Sequence, residues 1–248
     1  MSHLSHLAVA PAQIQGEQVM LKPEQQHYLH HVLRLQSGDQ FRVFDGQGRG
    51  WLAELHGSDA TAQLLLSLTL PTELSAQVTL VAAVPKGNGF DEVVRCSTEL
   101  GVAGIVPLLS DRTLVQPSAH KLKRWQRIAT EATEQSHRQR VPEVLPPQSL
   151  PEALASRPPE SQSYFCVVGE APSLLDCLLE HRNMAAITVF TGPEGGWTEA
   201  EQAGAIAAQC QPVSLGKRVL RAVTAPLSAL AVISLYQDSL FRINQSTL

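Results

Sequence analysis

No stretch of the 248 residues approaches the roughly 18 consecutive apolar residues of a bilayer-spanning helix, and no transmembrane segment is expected. Charged residues are scarce at 17%, aromatic residues scarcer at 5%, and 19 basic against 23 acidic side chains leave a net charge of -4. With an isoelectric point of about 6.1, that balance speaks against indiscriminate nucleic-acid binding, though not against a local basic face. The start Met1-Ser2-His3-Leu4-Ser5-His6 has no Lys or Arg ahead of its short apolar patch, so it does not read as a secretory leader. The four cysteines, Cys96, Cys166, Cys177 and Cys210, form no C-x-x-C pair. That usage excludes a zinc ribbon, disfavours a disulfide framework, and fits reduced buried thiols in the cytoplasm. His27, His30 and His31 fall together, but no Cys or carboxylate set accompanies them at ligand spacing, so no metal is expected. No Ser, His and Asp constellation marks a nucleophile triad.

What remains is an ordinary globular composition, 44% hydrophobic, long enough for one large or two small domains. The first seventy or so residues read as a small β-rich unit. Phe41-Arg42-Val43-Phe44 alternates, Asp45-Gly46-Gln47-Gly48 is a turn, and Trp51–Leu55 continues as a strand. A short helix is expected from Pro23 to Leu35, and Pro71-Thr72-Glu73 marks a boundary. From Val78 the texture becomes alternating strands and helices. Val78–Val84, Gly104–Leu108, Tyr164–Val168, Ala186–Phe190 and Pro212–Leu215 are apolar enough for strands buried on both faces. Helices are expected over Phe90–Leu100, 118–137, Ser173–Glu180, Thr198–Cys210 and Ala225–Tyr236, the last apolar on almost every side. The proline-rich stretch from Pro142 to Pro159 breaks into loop and short helix. This alternation argues for a parallel α/β sheet.

Two loops could carry chemistry. Thr191-Gly192-Pro193-Glu194-Gly195-Gly196-Trp197-Thr198 follows a buried strand and leads into a helix capped by Thr198, with Glu201 completing a capping box. It matches neither G-x-G-x-x-G nor G-x-x-x-x-G-K-[ST], and by itself reads equally as a binding loop or a tight structural turn. The second, Leu215-Gly216-Lys217-Arg218-Val219-Leu220-Arg221, gathers three cations at the end of a strand before a helix with Thr224 as its expected N-cap and Pro226 in its first turn. A third cluster, Lys121, Lys123, Arg124, Arg127, Arg138 and Arg140, would on its own be a solvated helix face.

Gly192-Pro193-Glu194-Gly195-Gly196 followed by Leu215-Gly216-x-Arg218-x-Leu220-Arg221 resembles the signature of the RsmE-type methyltransferases of the SPOUT superfamily. Further blocks agree in order along the chain: His30-His31-Val32-Leu33-Arg34 with Gly38-Asp39 and Phe44-Asp45-Gly46, Lys86-Gly87, Thr98–Val102, and Glu134-Gln135-Ser136-x-Arg138 with Pro142-Glu143. The resemblance implies methylation of N3 of a uridine in 16S ribosomal RNA, using S-adenosyl-L-methionine. It implies a PUA-like RNA-binding β-barrel at 1–72 and an α/β SPOUT domain with a deep trefoil knot at 73–248. The implied partners are small-subunit RNA in the assembled or assembling 30S particle and a second copy of the chain, joined through the final helix.

The resemblance places the bent cofactor among Val168, Gly169, Thr191, Gly192, Pro193, Glu194, Gly195, Gly196, Leu215, Gly216, Val219, Leu220, Ala222, Thr224 and Ala225. Arg34, Lys86, Arg124, Gln135, Ser136, Arg138 and Arg218 are the implied substrate contacts. Uracil N3 must shed its proton, and the charge spreading onto its carbonyl oxygens needs a cation, a role given to Arg221 with Arg218 behind it. The base must be unpaired or flipped to expose that edge. The chain departs from the family pattern where Val223 replaces an acidic residue, Pro226 a small one and Cys96-Ser97 a Lys-Ala pair, and Met1–Pro11 lacks an Arg-x-Phe. An RNA-binding relative without methyl transfer, or an enzyme with another RNA target, are the rival expectations.

Overall fold

The computed structural model describes residues 4–56, 60–181 and 184–245, with side chains to residue 240. Met1-Ser2-His3, part of the N-terminal reading above, lies outside the described residues. The chain divides into two compact units, residues 1–73 with 133–141, and residues 74–132 with 142–248.

The first unit is a six-stranded sheet of β1 (His6–Ala8), β2 (Ile14–Gln15), β3 (Gln18–Met20), β4 (Gln40–Phe44), β5 (Gly50–Leu55) and β6 (Thr61–Leu68), in the order β1-β4-β5-β6-β3-β2. Only the β1–β4 pair is parallel. Phe41 and Val43 of β4, Ala53 and Leu55 of β5, and Val19 and Ala62 opposite them are buried, which is the period-two pattern of a half-buried sheet. The expected Pro23–Leu35 helix is shorter. An α-turn, α1 (Pro23–His27), passes into a π-turn over Tyr28–Val32, and the chain then breaks at Arg34 with φ 59°. A non-glycine residue in the left-handed region cannot continue a right-handed helix, so Leu35 lies beyond it.

Residues 133–141 return to this first unit and are stitched into it. Gln139, buried, donates to the Leu68 carbonyl at 2.8 Å and accepts from the Leu70 amide at 2.9 Å. The ring of His6 is buried on Phe44, and burial pushes its pKa down to about 4, so the neutral imidazole donates through Nε2 to the Arg138 carbonyl at 2.9 Å. Arg138, 2% exposed, bonds Glu73 at 2.6 Å. Expected from the sequence as a substrate contact, Arg138 is instead committed to a buried ion pair, because its aliphatic stem and guanidinium are both enclosed.

The second unit is a seven-stranded, wholly parallel sheet. It comprises β7 (Gln77–Ala83), β8 (Gly104–Leu109), β9 (Glu143–Val144), β10 (Gln148–Ser149), β11 (Gln162–Cys166), β12 (Ala186–Thr191) and β13 (Gln211–Val213). The order is β10-β8-β7-β12-β11-β13, with β9 also paired to β8. β9 and β10 lie in the proline-rich stretch read as loop and helix; two-residue strands are too short to show any period. Among the described residues the unit's helices are α2 (Gly89–Glu99), α3 (Ala119–Gln135, whose last three residues belong to the first unit), α4 (Leu150–Ala155), α5 (Leu174–Glu180), α6 (Glu199–Ala207) and α7 (Thr224–Gln245). Val81, Val106, Phe165 and Phe190 from four strands pack with Trp197 and Ala205 on one face of the sheet. Trp125 of α3, 1% exposed, packs on Phe90 of α2 and donates to Asp91 Oδ1 at 2.9 Å, leaving the basic side chains of α3 outward.

Glu73 is 26% exposed and without Arg138 keeps the Gln139 and Arg140 amides, so the loss is that of charge-assisted hydrogen bonds, about 1–3 kcal/mol. Arg138→Ala is therefore expected to lower the stability of the N-terminal unit by about that much in chemical denaturation. A change below about 0.5 kcal/mol would show that the pair is not structural.

Candidate active site

Register decides where the site lies. Phe165 pairs with Phe190, and Cys166 pairs with Val213, so β12, β11 and β13 run out at one level of the sheet. Their three following segments, beginning at Val167, Gly192 and Ser214, therefore emerge side by side at the carboxyl edge, where ligands of parallel sheets collect. Val168 and Leu215, expected inside strands, are already part of these segments, and Val168 is 75% exposed.

The glycine-rich segment is a turn held from behind. The Gly196 amide donates to the Pro193 carbonyl at 2.9 Å, with Gly196 at φ 70°. Trp197 swings under it, stacked on Phe165 with centroids 4.3 Å apart, and its Nε1 donates to the Cys166 carbonyl at 2.8 Å. Gly192 lies across that indole: a Cβ there would sit 2.9 Å from Trp197 Cε2, closer than packing tolerates. Thr198 caps α6 as expected, accepting from the Glu201 amide at 3.2 Å while Glu201 Oε2 accepts from the Thr198 amide at 2.8 Å.

The third segment turns at Ser214, whose hydroxyl accepts from the Gly216 amide at 3.1 Å. The Arg221 carbonyl accepts from both Thr224 and Ala225 amides at 2.9 Å, so α7 opens with Thr224 as its first helical residue, not as its cap. A main-chain carbonyl from the preceding turn has taken the place of the expected side-chain cap. Pro226 is in the first turn as expected, where a missing N–H costs nothing. Arg218 and Arg221 are both exposed, and among the described residues no hydrogen bond or ion pair holds the Arg221 side chain. Val223 lies 2.8 Å from where a Gly89 Cβ would be, packed on the opening of α2.

Between the three segments is a cleft of about 230 Å³. Of the residues expected at a cofactor, it is lined by Val168, Gly192, Pro193, Gly196, Leu215, Gly216, Leu220 and Ala225, together with Arg218. Gly169, Thr191, Glu194, Gly195, Val219, Ala222, Thr224 and the cation Arg221 stand outside its lining. Cys166, Val167, Trp197 and Gln202 line it without having been expected. Trp197 and Gln202 sit just beyond the glycines and carried no signal distinguishing them from core or surface residues. Cys166 is enclosed, and burial pushes its thiol up to about 12, which keeps it protonated and a poor nucleophile. Thr191, 1% exposed at the end of β12, has an Oγ1 with no hydrogen-bond partner among the described residues. Apolar walls, main-chain amides and carbonyls of three glycines, and one cation suit a nucleoside with a charged tail, and not a polyphosphate.

The remaining expected contacts are spread over both units. Within the second, the Lys86 amide donates to Glu194 Oε1 at 3.3 Å, and Arg124 pairs with Asp91 at 2.8 Å. Within the first, Arg34 and Gln135 are exposed and Ser136 is half-buried, its hydroxyl donating to the Thr133 carbonyl at 3.4 Å.

Residues 72–234 match the model of an RNA methyltransferase domain, and residues 21–64 that of an RNA methyltransferase PUA domain. A ribosomal RNA small subunit methyltransferase E from Synechocystis is 49% identical over 236 residues, covering 94% of this chain and 78% of that protein. The chain belongs to the ribosomal RNA small subunit methyltransferase E family. A family member from Neisseria gonorrhoeae, solved bound to S-adenosyl methionine, superposes with a TM-score of 0.85 at 35% identity, covering 94% of this chain and 98% of that one. A Legionella pneumophila protein solved in complex with the bound cofactor S-adenosyl methionine gives a TM-score of 0.82 at 27% identity, covering 94% of this chain and 98% of that one. The family's two-part architecture is therefore that of this chain: a PUA-like β unit and a parallel-sheet methyltransferase unit.

Gly192→Ala is expected to displace the Trp197 ring from the Cys166 carbonyl. A loss of about 1–3 kcal/mol should follow, with a shifted tryptophan emission. Wild-type stability and emission would show that the indole is not wedged against residue 192.

Proposed function

We propose that this protein methylates N3 of a uridine in 16S ribosomal RNA, with S-adenosylmethionine held in the cleft between the ends of β11, β12 and β13. The observation that carries the reading is the meeting of the glycine turn and the Arg218-bearing segment at one nucleoside-sized cleft. When bound, S-adenosylmethionine supplies an electrophilic methyl group. The main chain of Gly192, Gly196 and Gly216 would take the polar edges of its adenosine, with Val168, Leu215 and Leu220 against the apolar faces.

The chain's other task is to present a deprotonated imide nitrogen in line with that methyl. Arg221, exposed and unpaired just before α7, can swing toward the uracil carbonyls and hold the charge they develop; Arg218, in the cleft wall, is placed nearer the donor. The positive end of the 22-residue helix α7 adds to the same field at Ala225. The RNA would be gripped by Lys86 and the outward basic side chains of α3, Arg124 included, and in the first unit by Arg34, Gln135 and Ser136. Arg138 is left out of that set because it is spent on Glu73. Four free cysteines suit a cytoplasmic setting.

Two copies would pair through α7. Leu235 of α7 is 72% exposed, and Leu175 and Leu179 of the neighbouring α5 are 46% and 50% exposed, so both helices carry large apolar side chains in the open. Leu235→Glu should turn a dimer into a monomer in analytical ultracentrifugation, and a wild type that sediments as a monomer would remove the pairing.

The direct test transfers a labelled methyl group from S-adenosylmethionine to small subunits lacking the modification, with free 16S RNA and transfer RNA alongside. N3-methyluridine in small-subunit RNA is the expected product, and Arg221→Ala should lower turnover on the order of 100-fold with cofactor binding retained. Label on transfer RNA alone would move the target. No label on any RNA, despite cofactor binding, would make Val223 the mark of an RNA-binding relative without methyl transfer.

A further inference from the structure

The glycine turn has two faces, and only one belongs to the cleft. Gly192, Pro193 and Gly196 line it, whereas Glu194 and Gly195 point away. The outward pair is tied to the loops that follow β7, which neighbours β12, and β8, one strand further along the sheet. Glu194 accepts from the Lys86 amide after β7 at 3.3 Å. Arg112, after β8, donates through Nη1 to the Gly195 carbonyl at 2.6 Å. Its neighbour Asp111 completes the junction: its amide donates to Glu201 Oε1 at 3.0 Å, and its Oδ2 accepts from the Thr198 hydroxyl at 3.1 Å. The capping box of α6 is thereby shared with the β8 loop, since buried Glu201 caps α6 with one oxygen and grips Asp111 with the other.

We propose that Arg112 and Asp111 are positioning residues for the methyl-donor site, a latch that fixes the glycine turn from its outer side in the conformation that receives the cofactor. The proposal rests on the reading that S-adenosylmethionine occupies this cleft. Neither residue lines the cleft, so neither touches the cofactor. Their effect passes through the Gly195 carbonyl and the Thr198 cap, which bracket the Gly196 and Trp197 positions that do line it. A four-residue turn rich in glycine is costly to order on binding, and an anchor made in advance removes that cost from the ligand. Gly195 is in contact with the same latch. Residue 195 does not lie in the left-handed region, but a Cβ there would come within 3.3 Å of Arg112 Cδ. A methyl group at 195 would press on the crossing arginine.

The test is calorimetric titration of S-adenosylmethionine into wild type, Arg112→Ala, Arg112→Lys, Gly195→Ala and the Arg112→Ala/Gly195→Ala double variant, with thermal melts of each. Arg112→Ala is expected to weaken cofactor binding about tenfold, raising the KM for cofactor more than it lowers kcat, with an unchanged melting midpoint. Arg112→Lys should recover part of the loss, because one donor to one carbonyl is all the latch uses. Gly195→Ala should weaken binding in the wild-type background and add little once Arg112 is gone, the non-additivity of two residues in contact. Wild-type affinity in Arg112→Ala would overturn the latch, as would a loss that only tracks a falling melting midpoint, or a rise confined to the KM for RNA. A wild type that binds no S-adenosylmethionine would instead overturn the reading of the cleft.

Discussion

Everything at the site depends on three parallel strands stopping together. The pairing of Phe165 with Phe190 and of Cys166 with Val213 sets β11, β12 and β13 flush, and the apolar side chains that enforce that register are the core itself. A slip of one residue in any of the three would move its side chains to the opposite face of the sheet and against the wrong partners, so the register is fixed by core packing before any ligand arrives. The cleft is thus a by-product of the core: three chain segments leave the sheet at one level and cannot fill the space between them. Trp197 makes the dependence concrete, because its indole belongs to the core through Phe165, to the cleft as lining, and to the β11 segment through the Cys166 carbonyl.

Burial also sorts the cations. The sequence places Arg124, Arg138, Arg218 and Arg221 in two clusters that look alike on paper. In the folded chain Arg138 is enclosed with Glu73, whereas Arg124, though paired with Asp91, keeps about half of its side chain exposed at 49%, and Arg218 and Arg221 stay exposed beside the cleft. Charge that is available for a substrate is charge that the fold has not already used. Val223 belongs to the same accounting. Its apolar side chain lies against Gly89, joining the start of α7 to the start of α2 through packing.

The parallel sheet was legible because Val78–Val84 and Ala186–Phe190 are continuous apolar runs, and such runs have few other uses. The capping box at Thr198 and Glu201 was legible from spacing alone, and the two loops from their place after buried strands. Three things were not. The return of residues 133–141 to the first unit leaves no local mark, since it depends on Gln139 and Glu73 meeting across many residues of chain. The break at Arg34 needs a left-handed residue that is not glycine, which no propensity favours. The division of Gly192–Gly196 into an inner and an outer face is set by Arg112, from a loop that no motif singled out.

The central claim is that one methyl donor is held by the segments following β11, β12 and β13. Amide hydrogen exchange with and without S-adenosylmethionine reads that claim directly, residue by residue. The account predicts added protection at Val168, Gly192, Gly196, Gly216 and Leu220, with the first unit unchanged. Protection confined to any other part of the chain would contradict it.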